Sequence, residues 1–302
     1  MNQIDVFLHS KLGNKQLKVR KLFILFIITG FIHACKDDVV EVKENVFSAR
    51  DHSLVENEFN STVEAMSDWI GNAKFYKKGE TIIPENVKVS FLDSTFKDMD
   101  GVEGTLDFGV PGTTKPYGLL CSDGKYRSGK IHFKCNQPLN IPGGELFLVM
   151  NEADSFSSGP GDEIYKIKGV FRIHNPDGLH LRLQTDNLLL ENKTGTIEWS
   201  CDRTLKLVKD AGQGIWGDIY SIEGTSSGVD RHGEAYSVEI TEALIKKMEV
   251  GCSRTFIKGR LTIRNHSTNK DTHINYDPEN NSACDQLIEA EINGKKTLFL
   301  LK

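Results

Sequence analysis

The pattern of apolar and polar positions divides the chain into three regimes. Residues 22–32 form a nearly unbroken apolar run. That run is too short for a bilayer core, which takes roughly 20 apolar residues in a helix. From Ser53 the spacing becomes helical. Ser53-Leu54-Val55-Glu56 matches a capping box. Phe59, Val63, Met66 and Ile70 follow one turn apart, and Gly71 can end the helix in a left-handed cap. These signals predict one short amphipathic helix over 54–70, its apolar stripe packed on a core.

Beyond the helix the period changes to two, the signature of half-buried strands. Asn293-Gly294 is a two-residue turn signal. It sets Ile288 opposite Phe299, Ala290 opposite Thr297 and Glu291 opposite Lys296. Asn175-Pro176-Asp177-Gly178 is a second turn, in which Pro presets φ and Gly accepts positive φ. It is expected to pair Ile173 with Leu181 and Phe171 with Leu183. A third hairpin joins 219–225 to 235–241 through Asp230-Arg231-His232-Gly233. Further strands are expected near 145–150, 196–208, 256–265 and 272–277. The fold class is therefore mainly β: an antiparallel β-sandwich, barrel or curved meander with one short N-terminal helix. No βαβ rhythm and no phosphate-binding glycine loop follows a strand, which disfavours a nucleotide-binding α/β fold.

The leader changes the picture. Lys11, Lys15, Lys18, Arg20 and Lys21 precede the apolar run, which ends in Ile32-His33-Ala34-Cys35. That layout is a secretory signal, and the small residue before Cys35 resembles a bacterial lipobox, in which the cysteine is acylated. Acyl chains anchor at about 0.8 kcal/mol per buried methylene. The expected organisation is a signal peptide over 1–34, an acylated Cys35 with a flexible tether to residue 52, and a helix-plus-β domain over 53–302. Lys36-Asp37-Asp38 resembles the surface-export signal of Bacteroidota lipoproteins; an ordinary solvated linker start is the other reading.

Charge narrows the partners. Removing residues 1–34 leaves 32 basic against 41 acidic side chains, a net charge of −9. A nucleic-acid partner is not expected, because phosphate contacts need clustered Lys and Arg. The membrane is expected to be reached through acyl chains rather than bulk charge. Past Cys35 there remain Cys121, Cys135, Cys201, Cys252 and Cys284, an odd number, so at least one thiol is left over. Export permits disulfides. One or two bridges are expected, Cys252–Cys284 first, with Cys201 a buried free thiol. No CxxC or Cys/His cluster suggests a metal, and no cofactor is expected.

Candidate chemistry is sparse. Lys166, Lys168, Arg172 and His174 share a strand face, and His180 and Arg182 join them from the facing strand. The expected register puts Arg172 opposite Arg182, a like-charge conflict that a functional site would explain. The stripe is then a site for an anionic ligand, such as an acidic glycan, or a solvated face neutralised by neighbours such as Glu198. Trp216, in a glycine-rich loop, either offers a face to a sugar ring or plugs one end of the fold. Trp199, alternating with Ile197 and Cys201, reads as core. Asp98-Met99-Asp100-Gly101-Val102-Glu103 falls short of calcium-loop spacing. No nucleophile elbow and no HExxH helix is expected, hence no catalytic residues.

The segments Leu106-Asp107-Phe108-Gly109, Cys121-Ser122-Asp123-Gly124-Lys125-Tyr126-Arg127-Ser128-Gly129-Lys130-Ile131 and Ile222-Glu223-Gly224-Thr225-Ser226-Ser227-Gly228 carry a resemblance. With Cys252 and Ile274-Asn275-Tyr276-Asp277 before Cys284-Asp285, they resemble uncharacterised Bacteroidota surface lipoproteins over most of the mature chain. Asp277 and Pro278 depart from the glycine expected there. The resemblance implies a surface-displayed, outer-membrane lipoprotein with a β-rich domain; the chain as a whole reads as having a non-catalytic structural or binding role, its partner a glycan or another envelope protein. It brings no activity. A glycan-binding accessory lipoprotein of a nutrient-uptake system is the first alternative, a hydrolase the second.

Overall fold

The computed structural model describes residues 47–70, 87–94, 96, 100–112, 117–121, 123–139, 141–211, 217–249, 252, 255–285 and 287–300, without the side chains of 63–70 and 299. Its one α-helix among these residues is α1 (Phe47–Ile70). Sixteen strands form a single antiparallel sheet. Its path runs β1 (Lys88–Ser94), β2 (Val102–Asp107), β5 (Lys130–Cys135), β6 (Gly144–Met150), β8 (Tyr165–Asn175), β9 (His180–Asn192) and β10 (Gly195–Lys209). It continues through β11 (Ile219–Val229), β12 (Ala235–Lys247), β13 (Lys258–Asn265), β14 (Lys270–Asn275), β15 (Leu287–Ile292) and β16 (Lys295–Leu300). Three short strands, β3 (Leu119–Leu120), β4 (Tyr126–Ser128) and β7 (Ser157–Gly159), lie off this path and join it through β8. All described strands share one antiparallel sheet whose order runs as a meander and does not close into a barrel.

Long strands carry the alternation the sequence predicts. In β10, Ile197, Trp199, Cys201 and Arg203 are buried while Glu198 and Thr204 are exposed. Bulges interrupt β8–β9, β9–β10, β10–β11, β11–β12 and β12–β13, and bulges bend and twist strands locally. Gly224 sits at the β11–β12 irregularity with φ +125, where a Cβ would stand 2.2 Å from the Asp202 carbonyl oxygen. No other residue type fits that close approach.

The Asn293-Gly294 turn has both residues at positive φ, and it sets Ile288 against Phe299, Ala290 against Thr297 and Glu291 against Lys296. The Asn175 hairpin corrects its expected register by two. Ile173 pairs with Leu183 and Phe171 with Thr185. The cause is local. Asn175 Oδ1 accepts the Gly178 amide and Asp177 Oδ1 accepts those of Leu179 and His180, so the loop runs over residues 176–179 before pairing resumes. An even shift keeps every side chain on its face. It also separates the two arginines: Arg172 lies opposite Gln184, and Arg182 opposite His174.

The helix departs further from expectation. It has 24 residues and begins at Phe47, so Ser53 is interior rather than a cap, and residues 47–52 are helix rather than tether. Gly71 lies outside the described residues. Ala49, Val55 and Phe59 are buried as a core stripe, but so are Asp51, His52, Glu56, Glu58 and Ser61. A helix polar on several faces can be buried only if those groups find partners.

Candidate functional site

The helix supplies such partners along its length. Ser48 donates to Asp230 at 2.7 Å. Asp51 accepts the Arg231 backbone N–H at 2.9 Å and its guanidinium at 2.6 Å. Glu56 faces Arg203 of β10 and, one turn back, His52, each at 3.2 Å. Glu58 binds Lys125 and accepts the Ser158 hydroxyl at 2.9 Å. Ser61 donates to Asp123, which in turn grips Arg127. Between these lie apolar contacts: Phe59 stands edge-on to Phe171 and Trp199, at 4.7 and 4.9 Å between ring centroids. Burial works to raise the pKa of Glu56, but Arg203, His52 and Lys246 outweigh it and hold the carboxyl below its ordinary range. Asp123 behaves likewise against Arg127, Ser61 and the Lys125 amide. These ion pairs and hydrogen bonds hold the helix to the sheet, although His52 Nδ1, Glu56 Oε2, Arg127 Nε and Arg203 Nε are buried without a hydrogen-bond partner among the described residues.

The basic stripe is also engaged. Lys168 bridges Glu152 at 2.5 Å and Glu191 at 2.8 Å, and Lys166 also reaches Glu152. Arg172 binds Glu145 and lies 5.9 Å over the Phe147 ring. Arg182 forks onto Asp202, and His180 meets Asp177 at 2.7 Å. The His180 hydrogen bond holds Asp177 down at about 2. His174 faces Arg182 across the strand pair. The stripe's neutralising partners are thus Glu145, Glu152, Asp177, Glu191 and Asp202 rather than Glu198. The predicted like-charge conflict is absent because the register differs.

The structure assembles another feature that no local pattern displays. On the sheet face opposite α1, a groove of about 630 Å³ crosses β9 to β14. Two transverse rows of cross-strand neighbours form it. One runs Gln184–Asp202–Thr225–Glu239–Thr262, the other Ser200–Ser227–Ser237–Arg264–Asp271. Within each row every residue comes from a different strand, so only register brings them together. Arg182 engages Asp202, and Arg264 reaches toward Asp271 at 3.8 Å. Among the described residues, the side chains of Thr225, Ser227 and Glu239 have no hydrogen-bonding partner.

One groove-lining residue has a partner with a chemical look: His266 Nε2, itself outside the lining, lies 3.0 Å from Ser237 Oγ. Ser237 lies within β12, however, near its start, with β11 on one side and β13 on the other. Its neighbouring amides are committed to ladders, whereas acyl transfer needs donors aimed at a developing oxyanion. Residues 224–228, Gly-Thr-Ser-Ser-Gly, do have the Gly-x-Ser-x-Gly spacing, which corrects the expectation that no such motif occurs. They lie within β11, not at a strand-to-helix turn, and Ser226 is buried against Arg203 at 3.1 Å.

Cys252 and Cys284 form a disulfide with Cα atoms 4.9 Å apart, joining the segments after β12 and after β14. Cys121, Cys135 and Cys201 are buried thiols. Burial pushes Cys135 and Cys201 up to about 12, far from reactive thiolate. Among the described residues no group of three or more His, Cys, Asp or Glu side chains is placed to hold a metal ion. None of their helices is long and apolar enough to cross a membrane. Cys35, Lys36, Asp37, Asp38, Trp216 and residues 97–99 of the acidic loop lie outside the described residues. No family model matches the chain, and no curated protein or solved structure gives a significant match.

Proposed function

We propose that this chain is a lipid-anchored envelope lipoprotein of the outer membrane, displayed at the cell surface, with a non-catalytic binding role. Its address rests on Ile32-His33-Ala34-Cys35 behind a basic and apolar leader, followed by Lys36-Asp37-Asp38.

The observation that carries the binding role is the groove opposite α1. It offers hydroxyls and a carboxylate without partners among the described residues, on a sheet whose ladders are already complete. Such a surface binds without supplying a nucleophile and oxyanion donors together. The Ser237–His266 pair favours a second reading, a hydrolase. That reading lacks an activating elbow.

Protease shaving of intact cells, with a Cys35→Ala variant alongside, tests the proposal. Shaving of the wild type and loss of membrane retention in the variant is the expected result. A wild-type chain that is protected on intact cells removes surface display. A variant that stays on the membrane removes the anchor.

A further inference from the structure

We infer that the groove opposite α1 binds a neutral, hydroxyl-rich glycan chain laid across the strands. The inference rests on the binding role proposed above and names its ligand class. Three observations favour it.

The first is charge. The groove's ionisable lining is Asp186, Asp202, Glu239 and Asp271 against Arg264 alone. Arg182 offsets Asp202 from the rim. The remaining excess of carboxylates repels an anionic ligand, including the acidic glycan that the basic stripe first suggests.

The second is chemistry. The lining contains no aromatic side chain, and its apolar members Cys201 and Val238 are buried. A peptide or protein partner draws most of its affinity from aromatic and aliphatic anchors seated in pockets. This groove has none to receive them. It presents short hydroxyls beside carboxylates, the groups that hydrogen-bond sugar hydroxyls as acceptors and donors.

The third is periodicity. Asp202, Thr225, Glu239 and Thr262 follow one another on adjacent strands, and so do Ser200, Ser227, Ser237 and Arg264. Adjacent strands lie about 4.8 Å apart. Each row is therefore a ladder of polar groups at a constant step, comparable to the advance of one pyranose unit along an extended glycan. A ligand with a repeating polar unit can meet several rungs at once, and many weak contacts then add through one chain.

The test is affinity electrophoresis of the full-length protein in mild detergent. Gels contain dextran, linear mannan, xylan or a β-glucan, with carboxymethyl-dextran and diethylaminoethyl-dextran as charged counterparts. Thr225, Ser227 and Glu239 are exposed, and β-strands accept aromatic residues on an open face. A Ser227→Trp/Ser237→Trp variant fills the groove, and Thr297→Trp on β16 is the control outside it. Retardation by at least one neutral glycan, weakened tenfold or more in the filled variant and kept in the control, is the expected result. Both variants must keep the wild-type melting transition; if the filled variant melts early, Glu239→Gln/Thr225→Val replaces it. No retardation by any neutral glycan overturns the inference, as does binding that survives the filled groove or occurs only with a charged dextran. Acylation of Cys35 is read separately, so a failure here leaves the lipoprotein proposal standing, and the reverse also holds.

Discussion

Arg203 on β10 donates from Nη2 to Glu56 Oε1 on α1 at 3.2 Å, with both side chains almost out of water. Arg203 also donates to Ser226 of β11 at 3.1 Å. One guanidinium thus joins the helix to two strands. Replacing Glu56 with Ala leaves that cation buried without its counterion. Loss of one member of such a pair costs about 3–5 kcal/mol. Urea unfolding of Glu56→Ala and Arg203→Ala should show this loss in each. The double variant should lose less than the sum, because the two act as a pair.

The same carboxylate sets an acid limit. Glu56 and Asp123 have lowered pKa values in the folded chain. The unfolded chain therefore binds more protons as the pH falls through the carboxylate range. Their contribution is fully present above an unfolded pKa of about 4 and is lost as pH falls through the depressed folded values. Urea midpoints should be flat near neutrality and decline below about pH 4. Glu56→Gln should start from a lower midpoint and decline less steeply. A midpoint that rises on acidification contradicts the assignment.

Some of this was legible in the sequence and some was not, for physical reasons. The Asn293-Gly294 hairpin is readable because a two-residue loop leaves one register. The Asn175 hairpin slips by two because side-chain oxygens of Asn175 and Asp177 hold a longer loop. The helical state of residues 47–52 is hidden for another reason. Ser48 and Asp51 look like tether residues, yet their partners Asp230 and Arg231 stand some 180 positions away. Local periodicity does not report such pairs. The groove is less legible still, since each strand contributes one to three ordinary polar residues. Only the pairing of β9 to β14 turns them into rows.

Gly224 tests the bend between β11 and β12. A methyl group there meets the Asp202 carbonyl oxygen at 2.2 Å, on a backbone with φ +125. Gly224→Ala should destabilise by about 2 kcal/mol, from strain and a displaced ladder together. It should also disturb the adjacent Thr225 and Asp202, so thermal melting and glycan retardation should fall together. Gly294→Ala, at φ +77 with open space around it, should cost less.

The Cys252–Cys284 bridge closes a separation of 32 residues. A loop of that size contributes about 3–4 kcal/mol through the entropy of the unfolded chain. Reductant, or Cys252→Ser/Cys284→Ser, should lower the unfolding free energy by that amount, read as an earlier urea midpoint. The same treatment should leave a Cys201→Ala chain no more sensitive than wild type, since Cys201 is a buried thiol outside the bridge.

The lipid anchor is the centre of the account, and mass spectrometry of the mature N-terminus from native membranes tests it most directly. The account predicts an N-terminal peptide that starts at Cys35 and carries acyl chains, and its disappearance in Cys35→Ala. An unmodified chain that retains residues 1–34, or one cleaved elsewhere with Cys35 bearing no lipid, contradicts it.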